Sequence, residues 1–249
     1  MKAIIIGAGR GRRLMPTTAE SPKCLAEVAG RSILDWALDA FTQNNLAPIC
    51  FIGGYQIEKV RAAHPELRFY HNSGWENNNI LASLLCAEPE MDGAFLCCYS
   101  DILFTPEVVA RALASPADVA LVVDTDWRAR YAHRTQHPTS DAEKVTASDG
   151  AITRIHRDVE ETAAKGEYTG IGRFSAAGAR LLREHYHRCR SLYSGRPFRE
   201  APIFEKAFLI QLFQEMIEKG VHLAPVETPG GYMEIDTQQD FELARRFWN

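Results

Sequence analysis

The chain has 249 residues, 46% hydrophobic and 24% charged, which suits one folded α/β domain with insertions. Its net charge of −4 excludes a broadly basic nucleic-acid surface, so affinity for phosphate has to come from a local site. No apolar run approaches the roughly 20 residues of a membrane helix. The opening Met1-Lys2-Ala3-Ile4-Ile5-Ile6 stretch is too short for a secretory leader, so the expected location is cytoplasmic.

In chain order, Ala3 to Ile6 reads as a buried strand followed by a glycine-rich turn. Ser32 to Phe41 carries apolar residues at Ile33, Leu34, Ala37, Leu38 and Phe41, the period of an amphipathic helix. Pro48 to Ile52 predicts a strand, Ile57 to Ala63 a helix, Arg68 to Tyr70 a short strand and Asn79 to Ala87 a helix. Ala94 to Tyr99 predicts a buried strand ending at Asp101, Pro106 opens a helix, and Val119 to Val123 is another strand. From about Asp124 to Tyr168 the pattern turns polar, with strand pieces at Val145 and at Ile152 to Ile155, which predicts an inserted lid. Helices from Ala176 and from Phe204 to Lys219, a strand at Leu223 to Val226 and a last helix after Asp236 complete the chain.

This alternation predicts a single domain spanning 1–249. It is a Rossmann-like mixed, mainly parallel sheet with helices on both faces and an insertion at about 124–168. Such sheets bind ligands beyond the carboxyl ends of their strands, where both the glycine turn and Asp101 fall.

The six cysteines include no CxxC pair, and neighbouring Cys97 and Cys98 in a strand face opposite ways. Reduced, mostly buried thiols are expected. His133 and His137 lack the glutamate of a zinc-protease motif and read as surface residues.

The loop Gly7-Ala8-Gly9-Arg10-Gly11-Arg12-Arg13 follows a strand, where backbone amides can cradle phosphate oxygens. Arg12 stands where a dinucleotide fingerprint needs glycine, and no Walker A loop occurs. Prolines at 16 and 22 stiffen the segment carrying Arg13 and Lys23. Two held cations suit a triphosphate, whose charge must be neutralised for transfer; the plain alternative is a basic surface loop.

The run GAGRGRRLMPTTAESPKCLAEV resembles the GxGxRLxPxTxxxPKxL signature of the sugar-phosphate nucleotidyltransferase superfamily, with Gly7 where alanine is common. That resemblance implies a nucleotidyltransferase in which Gly7, Ala8, Gly9 and Gly11 bind the nucleotide and Arg13 and Lys23 are catalytic. It also implies Mg2+ bound by Asp101, after a strand, and Asp236, near the carboxyl end. On the residues alone Asp236 reads as the cap of the last helix. A phosphate or phosphonate acceptor is largely ionised at neutral pH and needs no histidine base, in keeping with the absence of a Ser/His/Asp or Cys/His constellation.

Asn78, Asn79 and Ser83, within Asn77-Asn78-Asn79-Ile80-Leu81-Ala82-Ser83, can serve a base or ribose, or cap a helix. With Tyr232-Met233-Glu234-Ile235-Asp236 they resemble the phosphocholine cytidylyltransferase branch, which implies CTP. The stretches Asp126 to Tyr131 and Ser140 to Val145 resemble cytidylyltransferases of phosphonate biosynthesis, implying an acceptor like 2-aminoethylphosphonate. Trp127 and Tyr131 can wall an alkylammonium group. Lys144 is favoured over Arg128 and Arg130 for the anionic end, and Asp124, Glu200 and Glu205 are unranked partners for a cationic end. A hexose-1-phosphate nucleotidyltransferase, a non-catalytic nucleotide sensor and a dinucleotide oxidoreductase are the competing readings. Acceptor identity and a homodimer stay open.

Overall fold

The computed structural model of the protein describes residues 1–248. Strand β1 (Lys2–Gly7) is followed by the glycine loop and a small hairpin, β2 (Glu27–Val28) and β3 (Arg31–Ser32). Ser32 then starts helix α1 (Ile33–Gln43) through a reciprocal capping box with Asp35. Next come β4 (Ile49–Gly53), α2 (Ile57–Ala63), β5 (Arg68–His71) and α3 (Ile80–Leu84), the last continued by a 3-10 segment over Leu85–Glu90. Beyond lie β6 (Phe95–Tyr99), β7 (Ile102–Phe104), α4 (Pro106–Ala114), β8 (Val119–Asp124) and α5 (Trp127–Tyr131). The chain continues through β9 (Lys144–Ser148), β10 (Ala151–His156), β11 (Gly166–Phe174), α6 (Ala176–Tyr193) and α7 (Leu209–Glu218). It closes with β12 (Leu223–Thr228), β13 (Tyr232–Glu234) and α8 (Gln238–Phe247).

A nine-stranded sheet runs β10-β9-β11-β6-β1-β4-β5, with β8 paired to β11 and β12 to β8. Strands β6, β1, β4 and β5 are parallel, whereas β11 runs antiparallel to its neighbours. Both faces of β1 are covered. Ile4 and Ile6 pack with α3, α6 and α7, while Ala3 and Ile5 pack with α1, α2 and α4. Burial on both faces is why β1 reads as an unbroken apolar run rather than an alternating one. Cys97 and Cys98 divide between the same two cores, and all six cysteines are free.

Two expectations differ from the structure. The helix anticipated from Phe204 to Lys219 is a 3-10 turn over Phe204–Lys206 and a separate α7, joined by extended backbone at Ala207 and Phe208. The Phe208 N–H, freed from the first turn, donates to Gln211 Oε1 at 2.8 Å. The long strand β11 has no counterpart in the sequence reading. Gly166, Gly170 and Gly172 lower its strand propensity, and burial along nearly its whole length removes the alternation that marks a half-exposed strand. Within 124–168, the hairpin β9–β10 turns at Asp149-Gly150 and joins the main sheet through β11.

Candidate active site

A short two-stranded ladder brings the carboxylates together. Strand β7 begins one residue after Asp101, and β13 ends two residues before Asp236. Their register pairs Ile102 with Glu234, and the Ile235 N–H donates to the Asp101 carbonyl at 2.9 Å. A separate apolar cluster of Leu14, Val28, Ile33, Leu103, Ile235, Phe241 and Ala244 clamps the segment after the glycine loop against this ladder and α8. Lys23 and Arg13 are thereby delivered to the carboxylates.

Lys23 Nζ donates to Asp101 Oδ2 at 2.9 Å and to Asp236 Oδ1 at 2.8 Å, and Arg13 pairs with Asp236 and, at 3.5 Å, with Asp141. Burial opposes the Lys23 charge, but the pull of Asp101 and Asp236 outweighs it and raises its pKa above the ordinary lysine value. Burial likewise opposes ionisation of Asp236, and Lys23 outweighs it, so that carboxyl lies below its usual range. Asp236 does not cap α8. Thr237 does, accepting from the Asp240 N–H and donating its hydroxyl to the Asp240 carboxylate.

These groups line a cavity of about 240 Å³ at the carboxyl ends of β1 and β6. Gly7, Ala8, Gly9 and Gly11 line it together with Arg13, Lys23, Asn78, Asn79, Ser83, Asp101 and Asp236. Gly7 is required by packing, since a Cβ there would lie 2.6 Å from the Phe51 ring and 2.7 Å from Ser100 Oγ. Asn78 exchanges amide hydrogen bonds with Asn72, a residue the sequence did not flag, and Asn72 also donates to Ser83 at 2.9 Å. Asn79 caps α3, accepting from the Ile80 N–H, and donates to the Lys206 carbonyl. The asparagines therefore hold the rim in shape as well as lining it.

The rest of the cavity was not anticipated. In sheet order it extends from the loop after β1, past β6 and β11, to Glu143 just before β9 and Arg157 just after β10. Strand β11 shifts register between Tyr168 and Gly172, and its residues Glu167, Tyr168, Thr169 and Gly170 line the cavity. Bulges of this kind re-aim side chains beside active sites. Gly170 has φ +82°, and a Cβ there would meet the Tyr99 ring at 2.5 Å. The conformation excludes ordinary side chains and the space excludes even alanine.

Glu143, Glu167 and Glu234 make this end acidic. Burial pushes the Glu143 carboxyl up to about 7, with Arg157 opposing and Glu167 reinforcing the shift. Burial, then Glu167 and Asp236, raise Glu234 well above the usual carboxylate range. Trp75, Tyr99, Tyr168, Phe208 and Tyr232 supply the aromatic surface.

Several expected positions fall elsewhere. Trp127 is 1% exposed, in a separate cluster with Tyr131 and Ala142, and does not line the cavity. Lys144 is buried outside the lining and donates to the Thr139 carbonyl, and burial lowers its pKa. Arg130 is largely buried and pairs with Asp124 and Glu167 rather than facing the cavity. Asp124, Glu200 and Glu205 lie outside the lining, each bound to protein groups. His137 is not a surface residue. It is 2% exposed, lines the cavity, and sits 3.7 Å from Glu234 and 3.4 Å from Asp240.

The donor chemistry suits a hard divalent cation. Asp101 and Asp236 already converge on one positive centre, and His137, Glu234 and Asp236 each place a ligand-type atom within 4.8 Å of the others.

A mixed sheet with a glycine loop, two cations and paired carboxylates at its carboxyl edge suits a nucleotidyltransferase, and the family match shows that class. The sequence matches the family model of the MobA-like NTP transferase domain over residues 3–192, and the protein belongs to that family. It is 27% identical over 259 residues to the CTP:phosphoglutamine cytidylyltransferase of Campylobacter jejuni, covering 98% of each chain. It is 24% identical over 189 residues to the 2-aminoethylphosphonate cytidylyltransferase of Lancefieldella rimae, covering 74% of this chain and 71% of that one. The fold matches the inositol-1-phosphate CTP transferase of T. maritima with a TM-score of 0.74 at 20% identity, over 98% of this chain and 94% of that one. It matches the CTP:phosphocholine cytidylyltransferase of Streptococcus pneumoniae with a TM-score of 0.73 at 17% identity, over 100% and 99%. Among the described residues no helix is long and apolar enough to cross a membrane.

Proposed function

We propose that the protein is a CTP-dependent cytidylyltransferase. It joins CMP to the phosphate or phosphonate of a small amine-bearing acceptor, in the manner of 2-aminoethylphosphonate, and releases pyrophosphate. The observation that carries this reading is the polarity of one cavity. Arg13 and Lys23 stand beside the glycine loop, and a file of carboxylates leads from there to Glu143. The cytidylyltransferases among its relatives supply the choice of CTP.

In this reading the amides of Gly7, Ala8, Gly9 and Gly11 cradle the triphosphate, Arg13 and Lys23 neutralise it, and Asn78, Asn79 and Ser83 shape the nucleotide side of the rim. Asp101 and Asp236 hold Mg2+, which when bound supplies positive charge against the triphosphate. An ionised oxygen of the acceptor attacks the α-phosphorus of CTP. The new oxygen–phosphorus bond forms as the bond from the α-phosphorus to the bridging oxygen breaks, and pyrophosphate leaves with that electron pair. The chain's task is to hold two anions in line against their repulsion.

A quaternary ammonium acceptor such as phosphocholine is the second reading. It is favoured by the aromatic lining of Trp75, Tyr99, Tyr168, Phe208 and Tyr232, which supplies the several rings such a cation prefers. Pyrophosphate release with CTP, UTP, GTP and dTTP against 2-aminoethylphosphonate, phosphocholine and glucose 1-phosphate tests both. CTP with an amine-bearing acceptor is expected to give the highest kcat/KM. Turnover confined to glucose 1-phosphate with UTP or dTTP rejects the proposal.

A further inference from the structure

The cavity end beyond β11 holds a cation that a simple amine does not require. Arg157 lies just after β10 and lines the cavity beside Glu143, Tyr168 and Phe208. Its guanidinium rests over the Phe208 ring at 4.5 Å. Among the described residues its side chain makes one hydrogen bond with good geometry, a long one at 3.4 Å to Glu143 Oε1, and its buried Nε has no partner. A guanidinium offers five donors in a planar fork matched to a carboxylate, and with the Arg157 side chain 41% exposed most of them are open to an incoming anion rather than tied to protein groups. The contact with the Phe208 ring consumes none of its donors.

Two further groups frame the same space. Among the described residues the Glu143 carboxylate makes only the 3.4 Å contacts to Arg157 and Tyr99, whereas that of neighbouring Glu167 is committed to Tyr131 and Arg130 at 2.7 and 2.6 Å. The Tyr168 hydroxyl, on a side chain 2% exposed that lines the cavity, has no partner among the described residues. A buried hydroxyl left unpaired is destabilising, and a polar ligand atom satisfies it.

We infer that the acceptor is an amino-acid derivative, whose carboxylate is read by Arg157 and whose amino group faces Glu143, with its phosphoryl or phosphonyl group toward Lys23. An amine-only acceptor gives the Arg157 fork no anion, and a sugar phosphate leaves Arg157 and Glu143 with only their long 3.4 Å contact to each other. The similarity to a relative named for phosphoglutamine points the same way. The inference rests on the cytidylyltransferase reading above and narrows its substrate class.

The test uses acceptor pairs that differ by one carboxylate. These are 2-aminoethylphosphonate against 2-amino-3-phosphonopropanoate, and 3-aminopropylphosphonate against 2-amino-4-phosphonobutanoate, with CTP and magnesium fixed. In the wild-type enzyme the carboxylate-bearing member of at least one pair is expected to have a kcat/KM tenfold or more above its partner. In Arg157→Gln, checked for folding by thermal unfolding, that ratio is expected to fall to about one, with the loss in KM rather than kcat. Arg157→Lys should restore part of it. Equal or lower kcat/KM for the carboxylate-bearing members, with the amines turned over by CTP, overturns the inference and leaves the cytidylyltransferase reading standing. A ratio that persists in Arg157→Gln removes Arg157 from the role. No turnover of any of the four with CTP overturns both.

Discussion

Lys23 and Asp236 lie 213 positions apart in the chain and 2.8 Å apart, Nζ to Oδ1, in the fold. The contact joins the segment after the first strand to the turn before the last helix, and Asp101 completes it from the middle of the chain at 2.9 Å. Lys23 is the cation that Asp101 and Asp236 share, so its removal leaves two carboxylates facing one another across the site.

Lys23→Ala is therefore expected to lower turnover by about 10²-fold or more, the usual cost of losing a charge poised against developing negative charge in a shielded site. Steady-state pyrophosphate release by the folded variant measures it. Near wild-type turnover would remove Lys23 from the proposed role.

Asp101→Asn and Asp236→Asn should each raise the magnesium concentration needed for half-maximal rate, and the double variant should do little more than either single one. Thr237→Ala supplies the contrast. Because Thr237 caps α8, it should lower stability by about 1 kcal/mol while leaving the magnesium titration in place. Equal magnesium dependence in wild type and Asp236→Asn would count against Asp236 as a ligand.

Glu143 links stability to pH. Burial raises its carboxyl from the ordinary 4.5 to about 7, so the folded state holds a proton that the unfolded chain releases earlier. The stabilisation is complete below about pH 4.5 and is lost as the pH rises through about 7. At roughly 1.4 kcal/mol per pKa unit it is on the order of 3 kcal/mol. Urea midpoints of wild type and Glu143→Gln between pH 4.5 and 8 should converge at the acid end and separate in favour of the variant at pH 8. Parallel curves would show that Glu143 does not titrate there.

Trp127→Ala should act on the core rather than on the acceptor. The side chain is 1% exposed and packs edge-on against Tyr131 at 5.6 Å, so its loss should cost about 3–5 kcal/mol of unfolding free energy. The acceptor KM of the remaining folded enzyme should be unchanged. A raised KM with unaltered stability would return Trp127 to the acceptor site.

Much of this protein was legible in the sequence because the signals are local. The apolar run of β1, the capped amphipathic helix after Ser32 and the long motif around Arg13 and Lys23 each lie within a short window. Covalent spacing and helix or strand period decide such features before any tertiary contact forms. The parallel order of the first strands follows from their alternation with helices, and Asp101 could be placed at the correct edge of the sheet for the same reason.

Tertiary structure alone decided the other half of the cavity. Residues Glu143, Arg157, Glu167 and Tyr168 sit before, after and within strands whose pairing no local period announces. They meet because β11 runs antiparallel through the sheet and bulges at Gly170. Trp127 and Lys144 are buried against their own segment, and His137 is drawn inward against Asp240 and Glu234 from the far end of the chain. Burial of a charged or aromatic side chain depends on which distant strand covers it, and that is a property of the assembled sheet.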